Sequence, residues 1–303
     1  MIAIFGPTGV GKTAVAVALA DALRARGEDP VAISADALQL YQGLEVLTGA
    51  PTPEERARLE HRLLGSVPVT DAFSVGEFMP RAHAEIDAAL TTGRRPIVVG
   101  GTGLYLRAAL TELDLAPPPD PGVRERLEAE LRRRGVEALH AELERRAPEI
   151  AERIAPTDRA RVLRALEHPT GGNREEGSAE EPSQLWSGDV RHPTFLAGLT
   201  MRRARLYERI DARVDGMVAA GAVEEVHRAE SCGASRTARK ALGYQELLEG
   251  DVEAMKRRTR NYAKRQLTWM RKLPGVATVD LTHASPREAA REIARRAVRE
   301  ATV

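Results

Sequence analysis

The segment Gly6-Pro7-Thr8-Gly9-Val10-Gly11-Lys12-Thr13 restricts this chain more than any other. It follows the apolar run Ile2-Ala3-Ile4-Phe5 and precedes an Ala-, Val- and Leu-rich pattern that predicts a helix over about residues 13–26. Glycines there let the backbone wrap so that successive N–H groups point inward at phosphate oxygens. The helix that follows adds unpaired N–H groups and the positive end of its dipole. Lys12 supplies a mobile cation for an outer phosphate, and the Thr13 hydroxyl is placed to ligate Mg²⁺. Gly6, Gly9, Gly11, Lys12 and Thr13 are therefore predicted to hold a di- or triphosphate, with Thr13 as the metal contact. The motif leaves open which phosphate is bound and whether anything is hydrolysed. By itself it suggests a kinase or an NTPase.

Two further apolar runs, Val31–Ser34 and Pro96–Gly100, alternate with helical patterns, the second after a helix predicted over about 76–90. Short continuous apolar strands separated by helices indicate a parallel sheet covered on both faces, an α/β fold of the P-loop NTPase type. The composition shifts at Ala116-Pro117-Pro118-Pro119-Asp120-Pro121, which can continue neither a helix nor a central strand. Residues 123–146 are charged and helical, with Leu127, Leu131, Leu139 and Leu143 as an apolar stripe running past Gly135. A second helix is predicted over about 158–167, and 169–183 reads as a polar loop or linker. Thr194–Leu199 is a return strand. The predicted organisation is a core over 1–114, a smaller all-helical insertion over 115–189, and a return to the core with C-terminal helices over 190–303.

Hydrophobic residues make up 43% of the 303 but aromatics only 4%, so the cores must be built from Ala, Val and Leu. Lys+Arg number 45 against 44 Asp+Glu, so net charge says nothing of partners and only local distribution can. A lone Cys232 excludes an intrachain disulfide, is expected to be buried or semi-buried, and belongs to no Cys/His cluster with zinc spacing. No signal peptide is visible and no apolar stretch approaches the ~20 residues of a membrane span, so a soluble cytoplasmic protein is expected. Asp36 lies just past the second strand, at the mouth where ligands sit in such sheets. It is read either as a group that orients an acceptor, takes a proton or holds Mg²⁺, or as the cap of the turn that follows.

Several segments taken together resemble the tRNA dimethylallyltransferase (tRNA isopentenyltransferase) family. The opening Gly6-Pro7-Thr8 through Thr13 is similar to the family's phosphate loop, including a Pro-Thr pair that ordinary ATPases do not require. Ser34-Ala35-Asp36-Ala37-Leu38-Gln39-Leu40-Tyr41 and Gly100-Gly101-Thr102-Gly103-Leu104-Tyr105 resemble its next two motifs. Arg164–Glu167, Arg209-Ile210-Asp211 with Arg213 and Met217, Gly221 with Glu224-Glu225-Val226, Lys240–Tyr244 and Thr259–Trp269 follow in the family's order. The chain departs from the pattern at Ala37, where a serine is usual, at Ala50, where a lysine is lost, and at Ala155, where His-Pro-Asn-Asp has become Ala155-Pro156-Thr157-Asp158.

The resemblance implies transfer of a dimethylallyl group from dimethylallyl diphosphate to N6 of an adenosine next to the anticodon of tRNA, with diphosphate leaving. It implies Asp36 as the base, Thr102 and Arg213 as further catalytic groups, and Thr8 beside the loop residues on the diphosphate. Mg²⁺ is the implied cofactor and the anticodon stem-loop of tRNA the implied partner of what is expected to be a monomer. Read alone, Arg213 is equally a solvated helix arginine. From Met255 to Lys272 eight cations and no acid occur. At helical spacing Arg257, Arg260, Lys264 and Arg271 form one stripe suited to phosphate contacts, and Thr259, Tyr262, Gln266 and Trp269 another suited to packing. Gln39, Arg257, Arg260, Lys264 and Arg265 are the candidate tRNA contacts. The insertion, a clamp for tRNA in the family, is by its mixed charges only a solvated hairpin. An adenylate dimethylallyltransferase, a small-molecule or nucleotide kinase and a nucleotide-controlled binding protein are the competing readings.

Overall fold

A computed structural model describes residues 1–115, 122–167 and 187–300. The proline run and the polar stretch 169–183 lie outside these residues. Six strands, β1 (Ile2–Phe5), β2 (Pro30–Ser34), β3 (His61–Arg62), β4 (Arg95–Gly100), β5 (Phe195–Thr200) and β6 (Ala277–Asp280), form one parallel sheet in the order β3-β2-β4-β1-β5-β6. β1, β2 and β5 are buried almost throughout, as strands covered on both faces must be. Ile2 lies opposite Ile97 on one side and Phe195 on the other, which sets the register of the centre.

The first helix, Lys12–Arg24, presents Val15, Ala16, Leu19, Ala20 and Leu23 at helical spacing. These pack with Ala289, Ala290, Ile293 and Ala294 of the last helix, Pro286–Glu300, and with Ile2, Ile4 and Ala197 of the sheet. Small side chains let these two helices lie close together, which is how a chain so poor in aromatics fills its core. Because all strands run one way, their carboxyl ends open on a single edge. Gly6, Asp36, Gly101 and Arg202 follow β1, β2, β4 and β5 there, and β1 sits between β4 and β5, where their connections part.

Two strands carry no clear sequence signal. β3 has only two polar, half-buried residues, and β6 alternates buried and exposed as an edge strand covered on one face does. Cys232 is exposed, contrary to the expectation of a buried thiol. It caps the end of the helix Ala222–Ser231, and Gly233, at φ 78°, turns the chain away from the core there.

The chain divides into two compact units, Met1–Glu112 with Trp186–Val303, and Leu113–Leu185. The second is all-helical. Gly135, at φ 80° and ψ 167°, breaks its charged segment into Val123–Arg134 and Val136–Arg146. Its own core gathers Leu131, Leu139, Leu143, Val162, Leu163 and Leu166, and Arg124 pairs with the buried Glu167 at 2.5 Å. No described helix is long and apolar enough to cross a membrane.

Candidate active site

The phosphate loop emerges from β1 with Gly9 at φ 80° and Gly11 at φ 105°, backbone states that side-chain-bearing residues rarely adopt. Three groups distant in sequence brace it. The Gln266 Oε1 accepts the Thr8 N–H at 2.8 Å, and its Nε2 donates to Gly101 O at 2.7 Å. Arg209 Nε donates to Gly9 O at 3.0 Å. Lys12 Nζ folds back onto Gly6 O at 3.0 Å and Pro7 O at 3.2 Å. Loss of hydration drives the Lys12 ammonium down to about 8; the Asp36 carboxylate opposes this shift and Arg213 adds to it.

The facing wall is the segment 45–53. Its short helix Glu45–Thr48 is held by Glu225, a buried carboxylate that accepts the N–H groups of Val46 at 3.0 Å and Leu47 at 2.7 Å. Beyond it, Gln39 Nε2 and Arg213 Nη2 each donate to Gly49 O, both at 3.2 Å. Burial depresses the Arg213 pKa, against the pull of Asp36. Neither Lys12 nor Arg213 has a carboxylate within ion-pair distance among the described residues. Two cations withdrawn from water and left unpaired make this wall a site for an anion.

Loop and wall enclose a cavity of about 710 Å³. Thr8, Gly9, Gly11, Lys12, Thr13, Asp36, Gln39 and Arg213 all line it. Asp36 Oδ1 also accepts the Leu38 N–H at 3.1 Å, so the turn-capping and cavity-lining readings of this residue hold together. Gly6 contributes its carbonyl to Lys12 and is not in the lining. Thr102 stands behind the lining, its hydroxyl 3.4 Å from the Tyr262 phenol.

The cationic run falls on one helix, Val252–Lys272, and the structure sorts its members. Thr259, Tyr262 and Gln266 face the cavity. Burial, then the nearby Asp36 charge, pushes the Tyr262 phenol up to about 12, so it stays a hydrogen-bond donor at neutral pH. Arg260 is paired with Asp211 at 2.5 Å and Arg257 lies 3.7 Å from Asp251. Arg265 stacks over the Tyr262 ring, its guanidinium 5.5 Å from the centroid. Lys264 borders a separate cleft between this helix and the helix Arg203–Ala219. Gln266, Tyr262, Arg209 and Glu225 are thus site components that residue patterns alone did not single out for roles in the cavity. Gln266→Leu, close in volume, orphans the Thr8 N–H and the Gly101 carbonyl at about 1–3 kcal/mol each. Urea unfolding should report that loss, and diphosphate affinity should fall with it.

A phosphate loop, two unpaired cations and a carboxylate around one cavity, at the carboxyl edge of a parallel sheet, define a P-loop α/β protein equipped to bind a polyphosphate beside a proton acceptor. A family model described as IPP transferase matches residues 39–273. A tRNA dimethylallyltransferase of Thermobifida fusca is 44% identical over 289 residues, covering 91% of this chain and 88% of that protein. One of Thermomicrobium roseum is 41% identical, covering 99% and 92%. Among solved structures, the tRNA isopentenylpyrophosphate transferase of Bacillus halodurans superposes with a TM-score of 0.69 at 33% identity, over 99% of this chain and 97% of that one. A eukaryotic dimethylallyltransferase acting on tRNA gives 0.72 at 26% identity, over 93% and 74%. The chain belongs to the IPP transferase family.

Proposed function

We propose that this chain transfers the dimethylallyl group of dimethylallyl diphosphate to N6 of an adenosine next to the anticodon of tRNA, releasing diphosphate, as a cytoplasmic monomer. The observation that carries this reading is the meeting of an anion-binding floor and the Asp36 carboxylate in one cavity, too large for a diphosphate alone, in a member of this family. The loop N–H groups, Lys12 and Arg213 bind the diphosphate and stabilise the charge that grows on it as the allylic C–O bond breaks. Asp36 accepts a proton from the exocyclic amine as nitrogen bonds to the allylic carbon. Positioning supplies much of the rest, since an aromatic amine is a weak nucleophile. Tyr262 and Gln39 line the space left for the base. An adenine within the anticodon loop must first leave its stack to reach them.

The residues fit a magnesium ion. Among the described residues no group of three or more His, Cys, Asp or Glu is arranged to hold a metal, so the ion would ride on diphosphate oxygens with the Thr13 hydroxyl as its protein ligand. When bound, it supplies further neutralisation of the leaving diphosphate.

The test is incubation with radiolabelled dimethylallyl diphosphate, Mg²⁺ and either unmodified tRNA or AMP, with products separated by size. Label in tRNA alone is expected. Label in AMP would make the chain an adenylate dimethylallyltransferase, and label in neither, with ADP formed from ATP, a kinase.

A further inference from the structure

Next to the donor cavity lies a second hollow of about 520 Å³, lined by Arg202, Ala204, Arg205, Glu208 and Arg209. Arg209 borders both spaces, so positive charge runs without a break from the phosphate loop outward. Arginines elsewhere in the chain are mostly neutralised: Arg58 by Asp21, Arg94 by Asp29 and Glu60, Arg260 by Asp211. Arg202 and Arg205 are exposed and have no carboxylate within ion-pair distance among the described residues. Glu208 in the lining pairs with neither, and Asp280, held low chiefly by hydrogen bonds from Thr282, feels Arg202 only as a minor influence. Both arginines also sit at the start of the helix Arg203–Ala219, where the helix's own field disfavours cations and no acidic residue occupies the first turn. Round the same helix, Arg203 meets Lys264 and Arg271 at the separate cleft, again without a carboxylate partner.

We propose that Arg202 and Arg205 form a phosphodiester-binding subsite for the acceptor RNA, continuous through Arg209 with the donor cavity. This rests on the reading of tRNA as the acceptor. The strand flanking the reacting nucleotide lays its backbone phosphates in the arginine hollow, which fixes the approach of the base without reading sequence. Arg209 itself is committed to Gly9 O, so the outer pair carries the RNA contact.

The test uses the full chain, tRNA with and without dimethylallyl diphosphate, and the double variant Arg202→Ala/Arg205→Ala. The control Arg291→Ala/Arg295→Ala removes equal charge from exposed positions on the last helix. Single-stranded contacts contribute about 0.7 each to the slope of log affinity against log salt. The hollow variant should therefore lose about 1.4 from that slope and bind tRNA roughly tenfold more weakly near 0.15 M salt, with KM for the donor unchanged. A slope and affinity equal to wild type, or a loss matched by the control, overturns the subsite while leaving tRNA prenylation by the wild type intact. Wild-type protein that labels AMP and not tRNA overturns the acceptor reading instead, and the subsite with it.

Discussion

Asp36→Asn is expected to lower turnover by about 10²–10⁴-fold, the range typical of a lost general base, while leaving diphosphate binding nearly intact. The amide keeps the size of the carboxylate and can still accept the Leu38 N–H through its oxygen, so the turn after β2 is preserved. What disappears is a group able to take a proton from the amine. Donor binding stands on the loop N–H groups, Lys12 and Arg213, none of which bonds to Asp36, although its charge steadies both cations. Single-turnover rates with isothermal titration of inorganic diphosphate separate the two quantities. Unchanged turnover would remove Asp36 from the mechanism, and a parallel collapse of diphosphate affinity would make it an electrostatic rather than a proton-accepting group.

Lys12→Met should abolish measurable donor binding without weakening the empty protein. The ammonium is taken out of water and has only two backbone carbonyls for partners. Its folded pKa, about 8, lies below its ordinary value of 10.5, so between those pH values the unfolded chain binds the proton more readily. Its contribution therefore opposes folding below about pH 8 and fades as pH rises towards 10.5. The variant should melt no lower than wild type at pH 7 in the absence of ligand. Wild type at a hundred times its Kd of diphosphate gains about 2.7 kcal/mol, and the variant should gain nothing. Donor affinity of the wild type should also drop as pH climbs through 8, because only the charged ammonium attracts the anion. A lower melting temperature for the empty variant, or affinity flat across that range, would contradict this account.

The unequal fates of the cations on Val252–Lys272 show where residue patterns stop. Helical spacing places Arg257 and Arg260 on one stripe with Lys264, yet Asp211 and Asp251 reach the first two and leave the third beside a cleft. Asp211 lies 49 residues before Arg260, and nothing local to either announces the pair. The packing stripe divides in the same way. Trp269 covers Gly103, where a side chain would have no room, while Tyr262 and Gln266 of that face reach the cavity.

Local physics was enough to determine the phosphate loop, the central strands, the return strand and the place of Asp36 at a strand's end. Each depends on a short run of residues: glycines that permit positive φ, continuous apolar strands that must be covered on both faces, a lysine and threonine at fixed offsets. The tertiary structure alone decided which groups hold the loop and the facing wall in place. Gln266 bonds to Thr8 from 258 residues away, and Glu225 bonds to Leu47 from 178. It also decided which arginines are neutralised and which remain free for a polyanion. A hydrogen bond or an ion pair is set by distance in space, and the sequence carries that distance only through the fold.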